Sequence, residues 1–138
     1  MPTDISGLLE ACAADHRDGR VAITLEAAAG SIAVDTGLLR RALDSLVQNA
    51  VQHAPPGGHV VLRGVAAEGR LRISVIDDGP GVPAALRTTL FEPFVTGRPD
   101  GTGLGLAIAR ELAEALGGEL RLDNPGPGAV FTIDVPCR

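Results

Sequence analysis

The sequence predicts an α/β two-layer sandwich, in which a mixed, mostly antiparallel sheet is covered on one face by three helices. Three observations lead to this class. The element order departs from strict β-α-β alternation, several strands follow one another closely enough to form hairpins, and three segments after the first strands read as helices. At 138 residues the chain suits a single domain with its own core, and we assign residues 1–138 to it.

In the N-terminal quarter of the chain, the sequence predicts a short helix followed by two strands. Residues 5–14 have the spacing of a short amphipathic helix. Residues 20–26 alternate apolar and polar side chains, which is typical of a strand with one buried face. Residues 31–35 form a second apolar segment shortly afterwards. We therefore expect 20–26 and 31–35 to pair as a hairpin.

A long helix is predicted from about Thr36 to His53. Asp35 is a suitable N-cap, and the run Pro55-Pro56-Gly57-Gly58 ends the helix. A helical projection separates an apolar face from a polar face. The apolar face, which we expect in the core, contains Leu39, Leu43, Leu46, Val47 and Ala50.

The second half of the chain predicts four strands around an irregular segment. Alternating patterns indicate the strands, and a polar turn joins the first two. The last helix has Leu104, Ile108, Leu112 and either Ala115 or Leu116 at helical spacing and stops at Gly117-Gly118. In chain order we expect strands over 59–66 and 70–77, a glycine-proline turn over 78–83, a short helix over 83–90, an irregular segment over 91–103, the helix over 104–116, and strands over 119–124 and 129–135.

The composition excludes several functions. The formal net charge of -5 argues against nucleic acid or an anionic membrane surface as a partner. All 12 basic residues are arginine, which excludes a Walker-type phosphate loop, because that loop needs a lysine. No apolar run reaches the length of a membrane span and no signal peptide is visible, so we expect a cytoplasmic domain. Cys12 and Cys137 are interpreted as ordinary thiols.

One face of the long helix is polar and is the first candidate for a ligand site. Ser45, Asn49 and Gln52 cluster on this face, with His53 at its margin. Asparagine is a poor helix former, so a ligand is one reason for its presence here. A solvated polar surface is the alternative.

Two glycine-containing segments are the other candidates. In "VIDDGPGV", Asp77 ends a strand beside glycines, where a carboxylate can accept a hydrogen bond from an exocyclic base amine; a plain Asp-Gly turn is the alternative. In "GTGLGL", Gly101, Gly103 and Gly105 stand at the start of a helix, where free backbone N–H groups and the helix dipole favour an anion. Their spacing differs from the dinucleotide-binding G-x-G-x-x-G. A flexible entry loop is the alternative there.

Together these segments resemble the ATP-binding catalytic domain of sensor histidine kinases, in the superfamily that includes gyrase and MutL. "DSLVQNAVQHAPPGG" is similar to the asparagine box of that family, "DDGPG" to its first glycine box, "FEPF" to its phenylalanine box and "GTGLGL" to its second glycine box. The order and approximate spacing match from about Asp35 to Pro136. The resemblance implies a Bergerat-type ATP-binding fold, with ATP and Mg²⁺ as ligands.

The resemblance also implies roles for individual residues. Asp77 would accept the hydrogen bond of the adenine amino group, and Asn49 would coordinate the Mg²⁺ that bridges the phosphates. Asn49 and Arg98 would be the catalytic residues, and residues from about Phe94 to Thr102 would form a lid over ATP. The full implied ATP-binding set is Asn49, Gln52, His53, Asp77, Gly79, Gly81, Val82, Phe94, Thr96, Arg98, Gly101, Thr102, Gly103, Leu104, Gly105 and Thr132.

The sequence departs from the family pattern at three positions. Ser45 stands where the family usually has Asn or Glu, and Gln52 stands where it often has Lys or Arg. Val130 replaces a threonine that is common near adenine, and Thr132 lies on the same strand face as Val130. Arg98 could supply the phosphate-binding charge that Gln52 lacks.

The function implied by the resemblance is the kinase half of a two-component sensor. It would bind Mg-ATP and donate the γ-phosphate to a histidine on a separate dimerisation domain, from which a response regulator is later phosphorylated. His16, His53 and His59 lack the sequence context of a phosphoacceptor, so we expect a monomeric domain without autophosphorylation activity of its own. The domain would be cytoplasmic, or the cytoplasmic part of a membrane-bound sensor.

Three alternative functions remain at this point. An ATP-hydrolysing clamp would need a glutamate at the position of Ser45 to activate water. A serine kinase of the anti-sigma-factor type shares the first glycine box but usually has an acidic residue at that position and no phenylalanine box. A nucleotide-sensing module without transferase activity is consistent with both Ser45 and Gln52.

Overall fold

The structure, a computed structural model, describes residues 3–17, 19–27, 30–87, 89–92, 105–124 and 126–137. Three helices cover one face of a five-stranded mixed sheet, so the predicted fold class is confirmed. The elements are β1 (Thr3–Asp4), α1 (Ile5–His16), β2 (Ala22–Ala27), β3 (Ser31–Ile32), α2 (Thr36–His53), β4 (His59–Ala67), β5 (Arg70–Asp77), a 3-10 turn (Ala84–Leu86), α3 (Gly105–Ala115), β6 (Glu119–Asn124) and β7 (Val130–Pro136).

The order of strands across the main sheet is β2-β4-β5-β7-β6. Three of the four pairings are antiparallel, and the pairing of β2 with β4 is parallel. The helix α2 therefore serves as the crossover between the edge strand β2 and its parallel neighbour β4, as parallel pairing requires. The helix α2 packs on β5 and β4.

The predicted hairpin between residues 20–26 and 31–35 is wrong. The strand β2 pairs with β4, in a register that sets Ile23 opposite Val60 and Leu25 opposite Leu62. This pairing places the apolar side chains of β2 under the helix layer, which a two-stranded hairpin could not provide. The second segment contributes only the two residues of β3, which pair with β1.

The core lies between α2 and the central strands. The N-cap of α2 is confirmed, because Oδ1 of Asp35 accepts a hydrogen bond from the N–H of Leu38 at 3.1 Å. All five residues expected on the apolar face of α2 are buried. The largest fully buried side chains are Ile5, Leu9, Leu39, Leu43, Leu46, Leu62, Leu71, Ile73, Ile133, Val47, Val60 and Val75.

The helices differ from the prediction in two respects. The segment expected as a helix over 83–90 contains a single 3-10 turn, and α1 is instead the third helix of the layer. In α3, Ile108 belongs to the apolar spacing that predicted the helix, but it is 38% exposed. The buried stripe of α3 is formed by Leu106, Ala109, Leu112 and Ala113, whose alanines allow the helix to pack closely beside α2. None of the helices within the described ranges combines the length and apolar character needed to cross a membrane.

The face of the sheet opposite the helices carries a charged cluster around Asp134 on β7. The carboxylate of Asp134 is only 8% exposed and accepts hydrogen bonds from three guanidinium groups. Oδ1 accepts from Arg70 at 2.9 Å, and Oδ2 accepts from Arg72 at 3.2 Å and from Arg121 at 2.8 Å. Although burial acts in the opposite direction, these contacts lower the pKa of Asp134 from 3.8 to about 2.

We expect Asp134→Asn to lower the free energy of unfolding at neutral pH by about 2 kcal/mol, the equivalent of this pKa shift. A lowered folded-state pKa stabilises the protein above the unfolded pKa, and the contribution is lost as the pH falls from about 4 toward about 2. Urea unfolding at a series of pH values measures the difference. Glu119→Gln, at a 60% exposed side chain with one arginine partner, is the control and should cost less than about 1 kcal/mol. Equal losses for the two variants would contradict this prediction.

Candidate functional site

The candidate site lies where the C-terminal end of β5 meets the last turns of α2. Asp77 is the final residue of β5, and its side chain points toward the helix layer, so that the residue is only 6% exposed. Its Oδ1 accepts two backbone hydrogen bonds, from the N–H of Gly79 at 2.9 Å and from the N–H of Ala129 at 3.2 Å. The carboxylate is therefore held in one orientation by the main chain.

The second oxygen of Asp77 is available to a ligand. No residue in the described ranges donates a hydrogen bond to Oδ2. Among the described residues, every fully buried side-chain oxygen has a hydrogen-bond partner, so Oδ2, which has none, is reached by solvent. Burial raises the pKa of Asp77, while the two N–H groups and the nearby His53 oppose the rise. This combination of a fixed, accessible and partly desolvated acceptor is typical of a recognition site.

Asp78, the neighbouring acidic residue, has a structural role. It is exposed, and its Oδ2 accepts a hydrogen bond from the N–H of His59 at 2.9 Å, at the start of β4. A Cβ at Gly58 would lie 2.6 Å from Oδ1 of Asp78, so the Asp78 carboxylate covers the turn between α2 and β4. Only the first aspartate of "DDGPG" therefore faces the candidate site.

The glycines after Asp77 are required for close packing of the chain. A Cβ at Gly79 would lie 2.7 Å from the carbonyl oxygen of His53, at the C-terminal end of α2. Gly81 has φ +89°, a backbone conformation that favours glycine. A Cβ at Gly126 would lie 2.5 Å from the Cα of Gly81, and the N–H of Gly128 donates to the carbonyl of Gly79 at 3.0 Å. The glycine-rich loop after Asp77 and the one before β7 thus pack closely against each other beside Asp77.

We expect Gly79→Ala to destabilise the domain by about 1–3 kcal/mol, because the methyl group meets backbone at a distance that real Cβ atoms essentially never show. The loop would have to move away from α2, which would also disturb the hydrogen bond from the Gly79 N–H to Asp77. Gly37→Ala is the matched control, since the nearest atom to its new Cβ is the Asp35 carboxylate at 3.5 Å, an ordinary contact. Chemical unfolding compares the two variants, and equal stability would contradict the packing role of Gly79.

Asn49 and His53 occupy the face of α2 that is adjacent to this loop. Nδ1 of His53 contacts the carbonyl oxygen of Asn49 at 2.8 Å, which fixes the imidazole along the helix. Asn49 is half-buried, and its carboxamide makes no hydrogen bond to any other described residue. Gln52 is exposed on the same helix, and Val82 packs partly buried against the core.

The N-terminus of α3 lies beside this face of α2. Gly105 is the first residue of α3, and a Cβ there would be 3.8 Å from the carbonyl oxygen of Ser45, one turn before Asn49. The free N–H groups of a helix N-terminus and its dipole favour an anion. The loop after Asp77 and the start of α3 therefore both pack against the C-terminal half of α2, the helix that carries Asn49.

The structure corrects the predicted assignment of Thr132 to the site. Thr132 pairs with Ser74 across β5 and β7, so its side chain projects from the face of the sheet opposite Asp77. Its hydroxyl forms a hydrogen bond with the Ser74 hydroxyl at 2.9 Å. The residue that contacts Asp77 is Ala129, directly before β7, and the structure does not bring Thr132 to the site.

Seven of the predicted site residues lie outside the described residues. They belong to the proposed lid and to the second glycine box: Phe94, Thr96, Arg98, Gly101, Thr102, Gly103 and Leu104.

Three residues that build the site are absent from the set predicted from the sequence. Ala129 donates a backbone hydrogen bond to Asp77, and Gly126 and Gly128 hold the first glycine box in place. The signal that could have identified them is the glycine-proline run "PGPG" directly before the strand that pairs with β5.

Comparisons with known proteins agree with this geometry. Residues 34–138 match the family described as histidine kinase-, DNA gyrase B- and HSP90-like ATPase. The chain is 40% identical over 117 residues to the sensor protein DivL of Caulobacter vibrioides, an alignment that covers 84% of this chain and 15% of DivL. This chain thus corresponds to a small part of that relative.

Solved structures give the same result. A mycobacterial sensor histidine kinase, MprB, superposes with a TM-score of 0.86 at 31% identity, over 100% of this chain and 97% of that one. Full-length ShkA in complex with AMPPNP superposes with a TM-score of 0.84 at 37% identity, over 99% of this chain and 31% of ShkA.

Proposed function

Because this chain belongs to the histidine kinase-, DNA gyrase B- and HSP90-like ATPase family, as a histidine kinase-type domain of two-component sensors, we propose that it binds Mg-ATP and donates the γ-phosphate to a histidine on a separate dimerisation domain. One observation carries the proposal. The buried Asp77 carboxylate, anchored through Oδ1 by two backbone N–H groups, keeps Oδ2 open as an acceptor for an adenine amine. That ShkA is known in complex with AMPPNP supports an adenine nucleotide as the ligand.

The described residues fit both ends of Mg-ATP. Asp77 and Gly79 suit the base, and the start of α3 at Gly105 suits the phosphates. The Asn49 carboxamide offers an oxygen of the kind that Mg²⁺ prefers, and it makes no hydrogen bond to another described residue. A bound Mg²⁺ would supply charge neutralisation of the phosphates.

The chemistry left to this chain is positioning. Phosphoryl transfer depends on holding the nucleotide in line with its acceptor and on stabilising charge, more than on covalent participation by the protein. Asp77 would fix the base, Asn49 would fix the metal end, and the proposal assigns Arg98 to the terminal phosphate. Gln52 and His53, on the last turn of α2, line the same region.

The acceptor would be supplied by another domain. His16 contacts the Asp44 carboxylate, His53 contacts the Asn49 carbonyl, and His59 stands at the start of β4. His16 and His59 are outside the proposed nucleotide site, and Nδ1 of His53 is engaged by the Asn49 carbonyl, so we expect the domain alone to bind nucleotide without labelling itself. We therefore propose a cytoplasmic, monomeric domain whose direct partner is the dimerisation and phosphoacceptor domain and whose indirect partner is a response regulator. Nucleic acid and membrane would not be partners.

A second candidate function is a nucleotide-sensing module without transferase activity. Ser45 has no carboxylate, and the adjacent Asp44 is turned toward α1, where it contacts Cys12 and His16. The acidic side chain of the hydrolysing clamps and of the anti-sigma-type serine kinases is therefore not replaced by its neighbour. This observation disfavours those two alternatives and leaves binding without chemistry as the competitor.

The test is incubation with γ-labelled ATP and Mg²⁺, with and without phosphoacceptor helices supplied in trans. We expect the domain alone to bind ATP and acquire no acid-labile label. With the helices, label should appear on the helices, and replacing their acceptor histidine by glutamine should abolish it. The rate should be low, because the effective concentration of a tethered domain is missing.

Two outcomes would contradict the proposal. Stoichiometric labelling of the domain alone would show that one of its own histidines is the acceptor. Intact Mg-ATP binding without transfer to the matching helices would favour the sensing module.

A further inference from the structure

A second cluster of ligand-forming side chains lies between α1 and α2, on a different side of α2 from Asn49. Cys12 and His16 are four residues apart on α1 and so point to the same side of that helix, and Asp44 faces them from α2. Sγ of Cys12 lies 3.3 Å from Oδ1 of Asp44, and Nε2 of His16 lies 3.1 Å from the same oxygen. The three ligand atoms all lie within 4.8 Å of one another.

These distances are close to those of a tetrahedral metal site. Ligand atoms at zinc–ligand distances of about 2.0–2.3 Å stand roughly 3.3–3.8 Å apart around the metal. Small side-chain rotations would bring Cys12, His16 and Asp44 into this range. A thiolate, an imidazole and a carboxylate are also the three ligand types that Zn²⁺ takes in proteins.

We propose that Cys12, His16 and Asp44 bind a thiophilic divalent transition-metal ion of the Zn²⁺ class, which links α1 to α2. The site is accessible, since the side chains of His16 and Asp44 are 20% and 37% exposed, whereas Cys12 forms its buried floor. The fourth position would be open to water on the solvent side. The proposal is independent of ATP binding, because none of these residues contributes to the region around Asp77.

Arg40 competes with the metal for Asp44. Its Nε donates a hydrogen bond to Oδ1 of Asp44 at 3.0 Å, which holds a positive charge next to the proposed site. Its Nη2 also donates to the Asp15 carboxylate and, at 3.4 Å, to the Ala11 carbonyl. Arg40 can therefore leave Asp44 when a metal binds and keep two other partners.

In the metal-free cluster, the thiol of Cys12 is protonated. Burial, reinforced by the contact with Asp44, raises the pKa of Cys12 to about 12. A bound metal would take the place of this proton, so each bound ion releases one proton from Cys12.

The test uses Co²⁺ as a spectroscopic probe on the untagged, nucleotide-free 138-residue chain. We expect a thiolate-to-Co²⁺ charge-transfer band that stoichiometric Zn²⁺ abolishes. Cys12→Ser should remove the band, and His16→Gln should weaken Co²⁺ binding by more than roughly tenfold. Cys137→Ser and His59→Gln are the controls and should behave like the wild type, since both residues lie outside the cluster.

Two further measurements separate a metal site from a polar contact. Zn²⁺ should raise the Tm of the wild type and leave the Tm of His16→Gln unchanged, which keeps the test decisive if Cys12→Ser fails to fold. Arg40→Met, which removes the competing charge and keeps the side-chain stem, should bind Co²⁺ more tightly than the wild type. A folded wild type without a thiolate band, a band lost in Cys137→Ser instead of Cys12→Ser, or weaker binding by Arg40→Met would overturn the proposal.

Discussion

Asp77→Asn is expected to weaken ATP binding roughly ten- to a hundred-fold while the domain stays folded. The two N–H groups of Gly79 and Ala129 both point at Oδ1 and require an acceptor there, so the amide oxygen of the asparagine would occupy that position. The amide NH₂ would then replace Oδ2 and face the adenine amine, donor against donor. Losing a hydrogen bond to a charged group costs about 1.5–3 kcal/mol, which gives this range of affinity.

Asp77 is also expected to select adenine over guanine. Guanine has a carbonyl at the position of the adenine amine, so GTP should bind poorly to the wild type and relatively better to Asp77→Asn. Calorimetric titration with ATP and GTP measures both ratios. Asp78→Asn is the control and should bind ATP like the wild type, because that carboxylate contacts the N–H of His59 and not the site. If the wild type bound ATP and GTP equally, Asp77 would not be the adenine acceptor.

The two buried aspartates give opposite contributions to stability as the pH changes. Burial raises the folded-state pKa of Asp77, so the folded protein holds this proton more tightly than the unfolded chain does. This contribution to stability is fully present below the unfolded pKa and is lost as the pH rises through the folded pKa. Three arginines lower the pKa of Asp134, whose contribution is present above the unfolded pKa. The carboxylate whose charged form is disfavoured by burial is therefore the one at the proposed ligand site, whereas the carboxylate paired with three arginines stabilises the sheet.

The elements that the sequence predicted correctly are those governed by local signals. The alternation in β4 and β5, the Asp35 cap and the proline-glycine run after α2 are all visible within a few residues of the chain. The pairing of β2 with β4 was not visible, because a parallel pair depends on the crossover helix between the strands and not on the turn that follows the first strand. Proximity in sequence favoured the wrong hairpin.

The errors at the site have a similar origin. Thr132 was predicted near Val130, which is correct for the strand face, but the register with β5 puts that face on the other side of the sheet from Asp77. The contribution of Ala129 is a backbone N–H, which no side-chain pattern records. The contact of Cys12 with Asp44 depends on how α1 packs against α2, which the periodicity of either helix alone does not determine.

Asn49→Ala is expected to weaken the binding of Mg-ATP roughly ten- to a hundred-fold and to leave metal-free ATP nearly unaffected. The proposal asks the carboxamide oxygen only to hold Mg²⁺, and losing a ligand to a charged group is worth about 1.5–3 kcal/mol. Titrations of the wild type and the variant, each with Mg²⁺ and with a chelator, measure the four affinities. Phosphoryl transfer to helices supplied in trans should be lost together with the Mg²⁺ dependence.

The structure allows a loss of affinity in Asn49→Ala to be attributed to the lost metal ligand and not to unfolding of α2. Asn49 is in the interior of α2, where alanine is the better helix former, and its carboxamide makes no hydrogen bond to another described residue, so the substitution should not unfold the helix. The contact between His53 and residue 49 uses the backbone carbonyl and survives the change. Gln48→Ala, at the adjacent exposed position, is the matched control and should change neither affinity. Equal losses with and without Mg²⁺ would instead mean that Asn49 shapes the pocket as a whole and that the metal is held by other groups.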